Sequence, residues 1–286
     1  MRHYILSILL LTGIAHYSQA QVLKAEKTAT PYGHNPSAGK YFNIRNFRMY
    51  CEEYGKGTPV LLIHGNGRSI EDFRYQIPFF AKTNRVIIAD SRAQGRSIDP
   101  SDSLNYEMMA EDYNALLEAK HLDSVQVIGW SDGGIVGLLL AIKHPDKVKK
   151  LAISGANLWP DTTSINPELL DIVKQEYKAL LDKPNKTATD RNDLKLVRIL
   201  VEEPNIPLSA LAAIKCPTLV IAGDQDLINL QHTVLISRNI PKSYLWIIPG
   251  TGHSGAHTRK DAFNSTIKDF FIKPYRKLST IESITN

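Results

Sequence analysis

The chain has 286 residues, 43% of them hydrophobic and 22% charged, which fits one large α/β domain with a sizeable core and excludes disordered and fibrous classes. The formal net charge of +5 describes a mildly basic surface. Its densest group, Lys143, Lys147, Lys149 and Lys150, has no interleaved aromatics, so solvated lysines account for it and no nucleic-acid partner is expected.

At the N-terminus, Arg2 and His3 precede an almost wholly apolar run from Ile5 to Ala15, and Ser18-Gln19-Ala20 places small residues before Gln21. This is the pattern of a signal peptide over residues 1–20. The run is shorter than the roughly 20 residues a membrane span needs. Export to a periplasmic or secreted location is expected, with no stable membrane anchor after cleavage; an uncleaved anchor is the alternative. Cys51 and Cys216, the only cysteines, each lie in or beside an apolar run and read as buried free thiols. Residues 21–40 are polar and broken by Pro31, Gly33, Pro36 and Gly39, which predicts an irregular surface leader.

Phe42 to Tyr54, closed by Gly55-Lys56-Gly57, reads as an antiparallel hairpin or edge pair. Apolar runs follow at 60–63, 86–89, 125–128, 151–153, 219–222 and 244–248. They are continuous rather than alternating, as strands buried on both faces of a helix-covered parallel sheet are. Helices are predicted between them at about 69–82, 106–120, 133–144, 229–238 and 260–272. The alternation predicts an α/β fold, a doubly wound and mostly parallel sheet, with its core at 41–157 and 212–272 and a tail at 273–286. From 158 to 211 the alternation stops. Amphipathic stretches at 167–173 and 194–201, separated by a polar linker near 183–190, predict an inserted helical cap, because the excursion is too long for one strand-to-strand connection. Such caps enclose a pocket and exclude water from it.

Open α/β sheets place their sites beyond the carboxyl ends of the strands. Beyond Ile128 comes Gly129-Trp130-Ser131-Asp132-Gly133-Gly134, a strand-to-helix turn with Ser131 at its apex, the setting of a nucleophile elbow. Beyond Ala222 come Asp224 and Asp226, and beyond Ile248 comes Thr251-Gly252-His253. Serine, carboxylate and histidine thus fall on three strand ends in the order an α/β-hydrolase triad requires.

A serine hydroxyl is a poor nucleophile at neutral pH and needs a base within hydrogen-bond reach. His253 is the candidate, since an imidazole can accept the serine proton and return it to the leaving group. His257 is the nearest rival, but it falls inside the following helical start. Asp226 or Asp224 would hold the imidazole in the right tautomer; the other reading of Asp224 is a cap or a turn hydrogen bond. The backbone amide of Asp132, at a helix N-terminus, is an oxyanion donor. Its carboxylate is a candidate partner for a substrate ammonium, with helix capping as the alternative.

Trp159, at the start of the cap, is a candidate pocket-lining residue, with a core aromatic as the alternative. Arg92 and Arg96 with Asp90 are expected to brace the loop beneath the elbow, and His64 to pack its own loop. Metal-ligand spacing, a phosphate-cradling loop and a dinucleotide fingerprint are all lacking in the sequence, so no cofactor or metal is expected.

The combined motifs are His64-Gly65, Asp90-x-Arg92-x-x-Gly95-x-Ser97, the elbow at 129–133, Gly223-x-x-Asp226 and Gly252-His253. Over essentially all of residues 41 to 272 the chain resembles the α/β-hydrolase-fold serine hydrolases. The elbow spelling Gly-Trp-Ser-Asp-Gly-Gly is similar to the valacyclovir-hydrolase-like branch, whose members cleave small esters. The resemblance implies an α/β-hydrolase fold, Asp226 as the triad carboxylate, and a second oxyanion donor at Asn66 in the loop after the first parallel strand, by its amide or its side chain; a turn asparagine is the alternative. It also implies a small-molecule substrate: a carboxylic ester, lactone, amide or α-amino-acid ester, cleaved through an acyl-enzyme. Ala93 departs from the pattern, standing where related sequences usually have Gly. Carbon-carbon bond hydrolysis, or ligand binding with little turnover, stays open because fold does not set function, although an intact triad argues against pure binding.

Overall fold

A computed structural model of the chain describes residues 30–279 and 282–283. The expected signal peptide and the first half of the leader lie outside these residues. The described end of the leader is tied down by a buried carboxylate: Glu52 accepts from the backbone N–H of Gly33 at 2.9 Å and of Asn35 at 2.8 Å.

Strands β1 (Gly39–Ile44) and β2 (Phe47–Tyr54) form the expected antiparallel hairpin. The apolar runs become β3 (Thr58–Ile63), β4 (Asn84–Ala89), β5 (Val125–Trp130), β6 (Val148–Ser154), β7 (Thr218–Gly223) and β8 (Ser243–Ile248). They join one eight-stranded sheet of order β1-β2-β4-β3-β5-β6-β7-β8, antiparallel only in the pairings of β2. The chain steps from β3 outward to β4, then returns to the other side of β3 with β5, so the strand order reverses between β3 and β5. A crevice opens at the carboxyl ends of strands flanking such a reversal.

Why the runs are continuous is visible in how they alternate. Leu61, Ile63, Val127, Leu151 and Ile153 pack on one face with helices α1 (Tyr106–Ala119), α2 (Asp132–Lys143) and α5 (Leu230–Asn239). Val60, Leu62, Ile128 and Ala152 pack on the other with Phe73, Phe80 and helix α6 (Lys260–Ile272). With both faces covered, every position of β5 and β7 is buried. Cys51 and Cys216 are buried and unpaired.

Between β6 and β7 run helices α3 (Pro167–Asp182) and α4 (Ala188–Glu202), and the amphipathic stretches expected at 167–173 and 194–201 fall one in each. A capping box between Thr187 and Asp190 starts α4. Polar bonds fasten α4 to the loop after β4: the Lys195 ammonium donates to the carbonyls of Asp99 at 2.9 Å and Ser101 at 2.6 Å, and Arg198 donates to that of Leu104 at 3.0 Å. The helix expected at 69–82 is instead a 3-10 turn, Ile70–Phe73, and a separate helical turn, Ile77–Phe80. Pro78 is the reason: lacking an N–H, it is accommodated in a first turn and not in a helix interior.

Candidate active site

Ser131 stands between β5 and α2 with φ 56 and ψ −122, a strained conformation for a residue with a side chain. The turn is this tight because α2 begins against the end of β3. A Cβ on Gly133 would lie 1.9 Å from the carbonyl oxygen of Ile63, so only glycine fits.

The ends of β7 and β8 bring the other two candidates to Ser131. His253 Nε2 lies 2.9 Å from Ser131 Oγ, and His253 Nδ1 lies 2.6 Å from Asp226 Oδ1. A buried carboxylate only accepts, so Nδ1 carries the proton and the Nε2 lone pair faces the serine hydroxyl. Asp226 is held in turn by the backbone N–H of Ile228 at 3.1 Å and of Gly223 at 3.3 Å. Burial opposes its charge, but the imidazole and these amides outweigh it and hold the carboxyl below its usual range. Burial likewise opposes charge on His253. The Asp226 carboxylate, with a smaller contribution from Asp132, outweighs it and raises the imidazole pKa above the ordinary value of 6.5.

The rivals are placed elsewhere. Asp224 is exposed and accepts from the backbone N–H of Thr251 at 3.0 Å, a bond between the loops after β7 and β8 rather than within one turn. His257 stacks edge-on against Trp130, with Nε2 2.8 Å from the Asp72 carbonyl, and burial lowers its pKa to about 4.

Asn66 and Asp132 face each other across the crevice. The Asn66 side-chain amide donates to Asp132 Oδ2 at 2.9 Å and to the Leu196 carbonyl of α4 at 3.1 Å. Both amide hydrogens are therefore engaged within the protein, so the side chain has none left for an oxyanion. The Asp132 carboxylate is hydrogen-bonded to Asn66 rather than capping α2. Burial pushes its pKa up to about 6 against hydrogen bonds from Asn66 and Tyr106.

A cavity of about 140 Å³ opens beside Ser131, His253, Asn66 and Asp132. Leu169, Leu170 and Val173 of α3 and Val197 and Leu200 of α4 form its apolar wall. Trp159 does not line it, which corrects the expected contact. Its indole packs edge-on against His232 at 4.7 Å between ring centres and donates to Thr163 Oγ1 at 2.7 Å.

Of the residues expected to brace the loop, Asp90 and Arg96 meet through a backbone N–H, while Arg92 pairs elsewhere. Arg92 forms a bidentate pair with Asp112 at 2.6 and 2.7 Å, reaches Asp99 at 3.3 Å and stacks on Phe47. Asp90 instead accepts from the backbone N–H groups of Ile70 at 2.9 Å and Arg96 at 2.8 Å, while the Arg96 guanidinium lies over Tyr50. His64 accepts from the backbone N–H of Ser91 at 2.9 Å and so packs its loop, as expected. Ala93 has φ 62, the conformation for which the usual glycine is suited.

Two supporting groups were missed in the sequence. Gly155, directly beyond β6, lies against the His253 ring, and its place at a strand end was the available signal. The Trp130 indole donates to the His253 carbonyl at 2.9 Å, a contact that no local pattern announces.

Comparison with known proteins agrees with this architecture. The family described as alpha/beta hydrolase fold matches residues 58–183. Serine hydrolase BPHL of Mus musculus is 29% identical over 273 residues, covering 88% of this chain and 92% of that protein. The 2-hydroxy-6-oxo-6-phenylhexa-2,4-dienoate hydrolase of Burkholderia cepacia is 26% identical, covering 79% of this chain and 92% of that protein. Among solved structures, a thermophilic esterase from Thermogutta terrifontis superposes with a TM-score of 0.71 at 22% identity, covering 83% of this chain and 99% of that one. The chain is therefore an enzyme of the α/β-hydrolase fold with hydrolase activity, similar to the serine hydrolase BPHL branch.

Proposed function

We propose that the chain is a serine hydrolase of small carboxylic esters that works through an acyl-enzyme. The observation that carries this reading is the relay from Asp226 through His253 to Ser131, at 2.6 and 2.9 Å. In the first half-reaction His253 Nε2 takes the Ser131 proton as Oγ bonds to the ester carbonyl carbon. The carbonyl oxygen becomes an oxyanion, which the backbone N–H groups of Asn66 and Asp132 stabilise. The tetrahedral intermediate collapses, the C–O bond breaks, and the proton on Nε2 goes to the departing alcohol. Water then repeats the sequence on the acyl-enzyme, giving up its proton to His253, and releases the carboxylic acid and Ser131.

The apolar wall formed by α3 and α4 supports a small substrate enclosed away from bulk water. Carbon-carbon bond hydrolysis is the second reading, favoured by the likeness to the Burkholderia dienoate hydrolase. A panel of p-nitrophenyl esters of graded chain length, with fluorophosphonate labelling of wild type and Ser131→Ala, tests the proposal. Turnover and labelling that both vanish in Ser131→Ala support it, whereas an unlabelled folded wild type removes it.

Export is proposed on the N-terminal residues alone; a mature protein that begins at Gln21 on N-terminal sequencing supports it, and one that retains Met1 does not.

A further inference from the structure

Arg68 is the only lysine or arginine among the described residues that line the cavity beside Ser131. It follows the His64-Gly65-Asn66-Gly67 loop and is 29% exposed. Among the described residues its one ion-pair partner is Asp72, with Nε 3.8 Å from Oδ2, beyond hydrogen-bond reach. Asp72 Oδ2 is buried without a hydrogen-bond partner among the described residues. Asp72 thus attracts the Nε side of the guanidinium, and the two terminal nitrogens keep their donors. No hydrogen bond among the described residues uses them. Arg68 lines both this mainly apolar cavity and the adjoining polar recess of Ser69, Glu71, Asp72 and Arg74, and a planar fork of donors without a hydrogen bond at that junction matches a ligand carboxylate. The positive charge also reaches the reacting groups, since it disfavours the charged form of His253.

We propose that Arg68 is the specificity-determining anchor for a carboxylate on the substrate, so that the preferred substrates are small esters bearing a free carboxylate. The inference rests on the serine-hydrolase reading of the same site. Two charges of opposite sign divide the cavity. Asp132, 2% exposed, adjoins the nucleophile and repels an anion there. Arg68 is the more exposed and attracts the anion toward the mouth. The carboxylate therefore belongs on an arm that extends away from the reacting carbonyl.

Two matched substrate pairs test this. The p-nitrophenyl hemiester of glutaric acid against p-nitrophenyl pentanoate places the carboxylate on the acyl arm, and 4-acetoxybenzoate against phenyl acetate places it on the alcohol arm. In at least one pair the wild type favours the anionic member, and Arg68→Gln lowers the anionic-to-neutral ratio of kcat/KM roughly tenfold or more, chiefly through KM. Arg68→Lys recovers part of that ratio, because it keeps the charge and loses the fork. A ratio unchanged by Arg68→Gln in both pairs overturns the proposal.

Glutarate and benzoate binding to Ser131→Ala, followed by calorimetry, reads the same contact without turnover. Arg68→Gln in that background weakens at least one of them roughly tenfold, and equal binding of both overturns the assignment. Failure of the hydrolase reading shows separately, as loss of fluorophosphonate labelling in a protein that still binds the carboxylate through Arg68.

Discussion

The His253 imidazole fills the space that a side chain on Gly155 would need. At φ +65, a Cβ on Gly155 would lie 2.6 Å from His253 Cε1 and 2.8 Å from Nδ1. Real Cβ atoms do not come this close, so the bare backbone beyond β6 forms part of the socket that aims the imidazole at Ser131.

Gly155→Ala is therefore expected to displace His253 while leaving the sheet intact. A shift of about 1 Å at a proton-transfer group costs on the order of 10²-fold in kcat. Ester turnover and the rate of fluorophosphonate labelling should fall together, with the far-UV circular dichroism spectrum retained. Unchanged kcat would show that the ring position tolerates a Cβ.

The pH dependence follows from the raised His253 pKa. The base works as neutral imidazole, so kcat/KM should fall in acid with a midpoint above 6.5, measured from about pH 5 to about pH 9. The stability contribution has the opposite sense: with the folded pKa above the unfolded one, it is fully present below the unfolded pKa and is lost as pH rises through the folded pKa. Asp226→Asn should lower the midpoint and reduce kcat by roughly 10⁴-fold, because the amide favours the wrong tautomer. A wild-type acid midpoint near pH 5 would contradict the coupling.

For Asp132 two measurements separate recognition from structure. If its carboxylate receives a substrate ammonium, Asp132→Asn slows an α-amino ester far more than the matched desamino ester; equal losses would sink that role. Burial raises its pKa from 3.8 to about 6, so its ionisation opposes folding. The wild type should lose stability between about pH 4 and about pH 6, by at most about 3 kcal/mol, relative to Asp132→Asn. Urea titrations of both proteins at several pH values check the difference.

Arg92→Met removes the cation between two buried carboxylates, Asp112 and Asp99. Breaking such a network on one side costs about 3–5 kcal/mol, because the remaining charges have no comparable partner. The urea midpoint should drop accordingly, and a loss below about 1 kcal/mol would mean that water or Arg45, 3.3 Å from Asp112, replaces the guanidinium.

What could be read in the linear sequence was whatever depends on near neighbours. Continuous apolar runs announce strands covered on both faces, and Ser131, Asp226 and His253 are conspicuous because each closely follows such a run. The amphipathic stretches around Leu170 and Leu196 likewise announce helices outside the sheet. Even here one proline mattered: Pro78 divides a stretch with helical periodicity into two separate turns.

What only the tertiary structure decided were pairings between distant segments. Arg92 could be read with Asp90, two residues away, yet its partners are Asp112 and Asp99. Asn66 spends its side chain on Asp132 and on the Leu196 carbonyl, Trp159 turns to His232, and Gly155 makes room for His253. The physical reason is one of range. Strand and turn formation follow from solvation and backbone sterics within a few residues, whereas a side chain's partner depends on which strand ends the sheet order brings together. The reversal between β3 and β5 does that here, placing the Asn66 loop beside Ser131.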